Sequence, residues 1–413
     1  MNIAFYTLGC RVNQYESHRL AEEFKSAGCF IVPEDSKADA YIINTCTVTS
    51  LADRKSRQYI RRAKRLNPKA KIVVMGCYPE TNRAALEKLP EIDYILGTND
   101  KDKVFGLLGV KRNEHCEYTA YDPDSRTRAM IQIQTGCNRY CSYCVIPYAR
   151  NRISCKSIPD IVSEAEGLIR SGYKEIVLTG INTALYDGGI EPVLKELNAL
   201  PGDFRLRFSS LEPTVVDAEY VRKLLGYDKL CHHFHLSAQS GSNNVIANMN
   251  RHYTRESYLK IVEICRDFDP LFGITTDLIS GFPGESEEDF ADSLRLIEEA
   301  GFLHVHAFPY SKRPFTKAAE MPDQIDPETK KQRNRAIIGA GEKQSVLFRE
   351  KMTGTVQRVL VEEKKYGLYR GHCSNFCDVY FDSDENDIIN TFIDIEIEKL
   401  FKDGVKGRPL ASE

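Results

Sequence analysis

Cys137, Cys141 and Cys144 stand in the run Thr135-Gly136-Cys137-Asn138-Arg139-Tyr140-Cys141-Ser142-Tyr143-Cys144. Thiols spaced C-x3-C-x2-C can wrap three corners of a cubane iron–sulfur cluster, and no fourth thiol follows locally to close it. A cluster with one bare iron can bind a substrate there, so the spacing points to chemistry rather than electron storage. Zinc is the competing reading. Structural zinc sites, however, use four ligands, usually as two close pairs, and this run offers three in one stretch.

Cys10, Cys46 and Cys77 form a second trio through their contexts rather than their spacing. Each follows a β-branched or aromatic run: Ile3-Ala4-Phe5-Tyr6-Thr7-Leu8-Gly9, Ala40-Tyr41-Ile42-Ile43-Asn44-Thr45 and Lys71-Ile72-Val73-Val74-Met75-Gly76. Each run reads as a buried strand, and a helical stretch follows each thiol. Alternating strands and helices imply a parallel sheet, at whose carboxyl edge ligands gather. All three thiols would then leave their strands on one edge, where they can converge. Three unrelated core cysteines are the alternative.

The elements that must position these thiols fall into three segments. With 413 residues the chain holds two or three domains at the usual size. Residues 1–112 read as βαβ units with strands near 3–8, 40–45, 71–76 and 92–97. The helix after Cys46 carries Arg54, Lys55, Arg57, Arg61, Arg62, Lys64 and Arg65, a stripe that suits an RNA backbone and equally a solvated helix face. A polar stretch from about 113 to 128, centred on Asp122-Pro123-Asp124-Ser125, reads as a linker. Residues 126–350 repeat strand and helix six times, which implies a partial parallel barrel with its site at the carboxyl ends of the strands. The Cys137–Cys144 loop follows the first of those strands. Residues 351–413 turn to short strand-like runs that suit a small antiparallel β-barrel. The expected fold class is therefore α/β with a small all-β end.

Other strand ends of the central segment carry groups that suit a cofactor: Gly180 and Asn182, Ser210 and Glu212, Gln239, Asp277, and Tyr143 within the cysteine loop. Glycine admits a close ligand, and the polar side chains can bond ribose or a carboxylate. Gly281-Phe282-Pro283-Gly284 also reads as a turn before a helix capped by Ser286 with Asp289. His304 and His306 alternate along one strand and so share a face, which reads as a satisfied barrel-core pair rather than a metal site. Cys373 and Cys377 read as structural.

The bulk numbers bound the partners. A net charge of −3 neither favours nor excludes nucleic acid, so any such site is a local patch. The last 63 residues hold nine Lys and Arg against twelve Asp and Glu, a balance that does not proclaim RNA binding. No apolar run reaches the length of a membrane span, and Met1-Asn2-Ile3-Ala4 lacks a basic leader, so a cytoplasmic place is expected. Thirteen cysteines in such a chain mean metal or catalysis rather than a disulfide frame.

With both trios in view, the chain resembles the radical S-adenosylmethionine methylthiotransferases over essentially its whole length. The Cys137–Cys144 run, Tyr143 included, matches the superfamily's cluster motif. The three upstream cysteines match the family's amino-terminal domain, and the ending is similar to its small β-barrel (TRAM-like) RNA-binding domain. Thr7-Leu8-Gly9-Cys10-Arg11-Val12-Asn13-Gln14-Tyr15-Glu16-Ser17, Asn44-Thr45-Cys46-Thr47-Val48-Thr49, Ser209-Ser210-Leu211-Glu212-Pro213 and Pro309-Tyr310-Ser311 look most like the branch acting on N6-threonylcarbamoyladenosine in tRNA. The resemblance implies two [4Fe–4S] clusters, one on each trio, and S-adenosylmethionine on the bare iron of the Cys137/Cys141/Cys144 cluster. It implies a 5′-deoxyadenosyl radical that takes hydrogen from carbon 2 of adenosine 37 in a tRNA already carrying threonylcarbamoyl. Sulfur held on the Cys10/Cys46/Cys77 cluster would be methylated by a second S-adenosylmethionine and passed on. An unactivated aromatic C–H has no acidity for a general base, hence the radical. The motifs identify neither the sulfur donor nor the electron donor.

One departure from the family stands beside the loop. Where Arg-Gly-Arg is common after Pro147, this chain has Arg150-Asn151-Arg152-Ile153-Ser154-Cys155. The rival readings are the same chemistry on isopentenyladenosine tRNA or a ribosomal protein, and a cluster- or zinc-containing RNA-binding protein without turnover.

Overall fold

In a computed structural model the described residues are 1–113, 127–214, 217–385 and 387–410. Most of the expected linker lies outside them. The first unit is a five-stranded parallel sheet of order β2-β1-β3-β4-β5, built from β1 (Asn2–Thr7), β2 (Phe30–Val32), β3 (Ala40–Thr45), β4 (Lys71–Gly76) and β5 (Tyr94–Ile95). Central β3 is buried throughout, which is why it reads as an unbroken apolar run rather than an alternation. Helices α1 (Arg11–Ser26), α2 (Ser50–Leu66) and α3 (Cys77–Glu87) follow β1, β3 and β4.

The central unit holds six parallel strands in chain order. They are β6 (Arg128–Thr135), β8 (Glu175–Gly180), β9 (Arg205–Phe208), β10 (His233–His235), β11 (Gly273–Ser280) and β12 (His304–Pro309), with β7 (Ser154–Cys155) antiparallel on the edge of β6. Parallel bridges Leu206↔Leu230 and Leu211↔Leu236 join β9 to β10, whereas no pairing among the described residues joins β12 back to β6, so the barrel is partial and opens there. Its helices pack outside on one continuous apolar core that includes Ile131, Leu178, Leu206, Phe234 and Ile274. Ser286 and Asp289 form the expected capping box at the head of helix Glu287–Ala300. A 24-residue helix, Pro327–Glu350, packs against β12 and leads to the last unit.

That last unit closes into a five-stranded barrel of order β13-β14-β15-β17-β16. Its strands are β13 (Val356–Lys365), β14 (Leu368–His372), β15 (Asp378–Phe381), β16 (Phe392–Phe401) and β17 (Gly404–Pro409). It is antiparallel except where β15 and β17 pair in parallel, a closure the sequence does not announce. It seals the amino-terminal end of the central barrel: Arg205 and Arg207 share buried Glu175 and donate to the His372 and Ser374 carbonyls at 3.0 and 3.1 Å. The opposite end, where the strands finish, is left to the cysteine loop.

Candidate functional site

The strand-end thiols leave one edge of the sheet, near enough for Cys46 to feel Cys10 and Cys77. Cys10 caps α1, Cys46 immediately follows β3 and Cys77 opens α3. Two of the three thus stand at helix N-termini and the third at a strand end. A Cβ on Gly9 would lie 2.7 Å from the Cys46 Cβ, which shows how closely the first two strand ends approach. Burial pushes the Cys46 thiol up to about 12; the Val48 N–H at 3.5 Å opposes this, and nearby Cys77 and Cys10 add to it. Burial raises Cys77 as well. Three thiols at neighbouring strand ends are a soft donor set that fits an iron–sulfur cluster.

The second trio is folded by one loop. The Cys137 N–H donates to the Arg150 carbonyl at 3.1 Å, and the Cys144 N–H to the Cys141 carbonyl at 2.9 Å. Ser142 pins the loop to the residues after β10, donating from N–H to the Met249 carbonyl and from Oγ to that of Asn248. Burial raises all three thiols, Cys144 to about 12, where Cys141 adds to the effect. Asn182 lies against Cys137 and Arg251 against Cys141. Arg251 pairs with Glu212 at 2.8 Å and donates to the Tyr143 hydroxyl at 3.3 Å and the Ser237 carbonyl at 2.8 Å. It is buried beside the loop, and sequence reasoning missed it because Asn250-Arg251-His252 carries no motif.

One arginine joins the two trios. Arg150 donates from Nε to the Cys77 sulfur at 3.4 Å and from its other nitrogens to Asn13, Thr135 and Glu16 at 2.7–3.1 Å. Its carbonyl meanwhile holds Cys137. Burial would lift the Glu16 carboxyl, but Lys101 and Arg150 outweigh it and hold it at about 2. This is where the family's arginine–glycine run is altered. The glycine is lost at Asn151, whereas Arg150 is kept and Cys155 is a strand residue paired with Gln134.

Two segments of the chain match known families. Residues 2–97 match uncharacterized protein family UPF0004, and residues 131–297 match the radical SAM superfamily. The threonylcarbamoyladenosine tRNA methylthiotransferase MtaB of Bacillus subtilis is 36% identical over 96% of this chain and 94% of its own length. That of Aquifex aeolicus is 38% identical over 88% and 93%. A tRNA-2-methylthio-N(6)-dimethylallyladenosine synthase of Endomicrobium trichonymphae is 33% identical over 97% of each. The chain belongs to the radical S-adenosylmethionine methylthiotransferase family. In fold it is similar to the radical S-adenosylmethionine methyltransferase TsrM of Kitasatospora setae, at a TM-score of 0.60 and 15% identity over 86% of this chain and 78% of that one. A protein of the radical SAM superfamily uses a [4Fe–4S] cluster and S-adenosylmethionine.

In this methylthiotransferase the expected cofactor residues divide. Asn182, Glu212 and the Tyr143 hydroxyl lie around the cysteine loop, and the Tyr143 ring packs on a cluster that includes Val245, Met249 and Phe282. The Gly180 region is tied to Gln134, whose Oε1 accepts from the Asn182 N–H at 2.9 Å. Ser210 contributes its carbonyl to the Thr183 hydroxyl. Gln239 turns at φ +64° and joins β11, donating to the Asp277 carbonyl. The Asp277 carboxylate lies inside the barrel, accepting from Ser237 at 3.2 Å beside His235 at 3.3 Å.

His304 and His306 correct an expectation. They share a face, yet they are exposed to a cavity and are not a satisfied core pair, because the partial barrel leaves its lumen unfilled. His235, Asp277 and His306 bring ligand atoms within 4.8 Å of one another. Cys373 and Cys377 are buried in the terminal barrel, as expected of structural residues. No helix among the described residues is long and apolar enough to cross a membrane. At the mouth, Tyr140, Tyr148 and Phe315 are exposed in a chain of ring contacts at 5.7 and 5.9 Å. The head of α2 is fastened there: Arg313 donates to Thr47 and pairs with Asp53 at 2.7 Å.

Proposed function

We propose that this methylthiotransferase acts on tRNA and adds a methylthio group at carbon 2 of adenosine 37 already carrying threonylcarbamoyl. The observation that carries the reading is Arg150, whose side chain reaches the Cys77 sulfur while its carbonyl holds Cys137. Two sulfur centres held by one residue suit a reaction in which one site activates the substrate and the other supplies sulfur. On this reading Cys137, Cys141 and Cys144 hold the [4Fe–4S] cluster that takes S-adenosylmethionine, and Cys10, Cys46 and Cys77 hold a second. When bound, these groups supply the one-electron chemistry that an aromatic C–H demands.

The remaining residues bind and orient. Asn182, Glu212 and Arg251 surround the open side of the cysteine loop and offer both charges to an amino acid's ammonium and carboxylate. The rings of Tyr140, Tyr148 and Phe315 give an unstacked nucleotide a surface to lie on. The exposed Arg54, Lys55, Arg61 and Arg65 of α2 face solvent beside that mouth and suit a phosphate backbone. Residues 1–112, 126–350 and 351–413 then act as sulfur-site, radical and RNA-binding units, at work in the cytoplasm where tRNA is. The relatives compared that are named for threonylcarbamoyladenosine reach 38% identity, and those named for dimethylallyladenosine reach 35%.

The test is iron and sulfide content after anaerobic purification, read beside nucleoside mass analysis of tRNA from a deletion strain. Wild type should hold about eight irons and Cys10→Ala/Cys46→Ala/Cys77→Ala about four, since each cubane holds four. The deletion strain should lose only the methylthio form of threonylcarbamoyladenosine. Four irons in both proteins, or loss of a different nucleoside, overturns the reading.

A further inference from the structure

The barrel lumen beneath the cysteine loop holds a cavity of about 300 Å³. Its walls include Arg11, Ser209, His233, His235, His304 and His306, and the terminal barrel forms its floor. Five imidazoles line this one cavity, His372 of the terminal barrel among them, out of nine histidines in the chain, which is more than core packing calls for. The cavity extends toward the mouth, because Ser209 precedes the Ser210–Glu212 segment and Arg11 follows Cys10. Arg11, the neighbour of Cys10, makes part of its wall.

The hydrogen bonding in the lumen is uneven. His235 is engaged at both ring nitrogens, with Thr275 at 2.9 Å, Ser237 at 3.1 Å and Asp277 at 3.3 Å. His304 and His306 make no side-chain hydrogen bond among the described residues, and their rings lie edge to face at 4.4 Å. The Nδ1 of buried His233 has no partner either. Burial first, then neighbouring histidines, lowers the pKa of His304 and of His306, the latter to about 4 although Asp277 opposes the shift. Both are neutral near pH 7, each with one donor and one acceptor.

A hydrocarbon group entering this lumen would strip water from those nitrogens and return nothing, which is costly. A ureido, hydroxyl and carboxylate group would satisfy them, with the Arg11 guanidinium supplying charge for the carboxylate. Resting on the tRNA methylthiotransferase reading, we infer that the lumen is the specificity pocket for the base's N6 substituent. His304 and His306 hydrogen-bond a polar, carboxylate-bearing substituent and thereby exclude an apolar one. Carbon 2 then stays at the mouth while the substituent occupies the lumen.

The test uses the holoenzyme with two anticodon stem-loop RNAs, one carrying N6-threonylcarbamoyladenosine and one N6-dimethylallyladenosine. Sites built to hydrogen-bond a substituent reject its apolar analogue strongly, so kcat/KM should favour the first RNA by at least ~100-fold. His306→Phe and His304→Phe should each cut that ratio by about tenfold or more. His306→Gln, which keeps a donor and an acceptor, should retain more of that ratio than His306→Phe. Equal turnover of both RNAs by wild type, or equal loss on both RNAs in the phenylalanine variants, overturns the inference and leaves the enzymatic reading standing. Turnover of neither RNA defeats the enzymatic reading itself. Stoichiometric metal beyond the cluster iron, lost in His306→Phe, also overturns the inference, since a metal would occupy the nitrogens assigned to substrate.

Discussion

The two thiol trios reach similar arrangements by opposite routes. Cys137, Cys141 and Cys144 lie within eight residues and are gathered by the turns of one loop. Cys10, Cys46 and Cys77 are brought together only when three parallel strands pair in register, Thr7 with Asn44 and Thr45 with Gly76. A local site can form wherever its loop is anchored. A strand-end site exists only as far as its sheet does, so its integrity reports on the fold of the whole first unit.

The largest effects come from the glycines that precede the thiols. Gly76 sits at φ +102°, and a Cβ there would fall 2.5 Å from the Thr45 carbonyl oxygen. Gly136 sits at φ +85°, where a Cβ would fall 2.1 Å from the Arg152 carbonyl oxygen. Neither backbone neighbour can yield cheaply. Gly76→Ala should strip the strand-end cluster and Gly136→Ala the loop cluster, each leaving about four irons of about eight by anaerobic iron assay. Gly76→Ala should also lower the melting temperature of the first unit, since its clash lies inside the sheet. Loss of all iron in either variant would mean that the two sites are not independent.

Arg150→Ala tests the joint between them. It leaves Cys77, Asn13, Thr135 and Glu16 without a shared donor in a buried place, at a cost of about 3 kcal/mol. Electron paramagnetic resonance should show the strand-end cluster altered and the loop cluster unchanged, because only the Arg150 carbonyl touches Cys137. Arg150→Lys should not restore the signal, as an ammonium cannot reach four partners in one plane. Arg251→Ala is the mirror change on the loop side. Removing a charged donor from Glu212 and Tyr143 should weaken S-adenosylmethionine binding by about tenfold or more, measured by equilibrium dialysis, with iron content intact.

The same contrast explains what could be read in advance. The loop trio was legible because its spacing is its geometry, and the strand-end trio because three thiols repeat one context. Arg150 was noticed only as part of an altered motif, and Arg251 not at all, since their partners lie up to 137 residues away. The helix Pro327–Glu350 went unread because few apolar side chains mark it and Gly339 and Gly341 interrupt it; Gly341 is needed against Val305, 2.9 Å from a would-be Cβ. Strand β2 is three residues long, too short for a pattern. His304 and His306 were placed on the right strand and face. That the face is an open lumen depends on the missing closure between β12 and β6, which no local residue encodes.

The finest distinction between the two regions is one of pH. Glu16 is held at about 2 against an ordinary value of 4.5 by Lys101 and Arg150, which serve the strand-end side. A depressed carboxyl stabilises the fold fully above its unfolded value and loses that contribution as pH falls toward its folded value. Between pH 7 and pH 4 the wild type should therefore lose about 1 kcal/mol through this group, and the rest only nearer pH 2. Glu16→Gln should be less stable at pH 7, and its deficit should narrow as the pH drops, as followed by thermal melting of the first unit's circular dichroism. A deficit constant from pH 7 to pH 4 would mean that the carboxylate charge does not hold Arg150 in place. The joint between the two trios would then rest on the Cys77 sulfur, Asn13 and Thr135 alone.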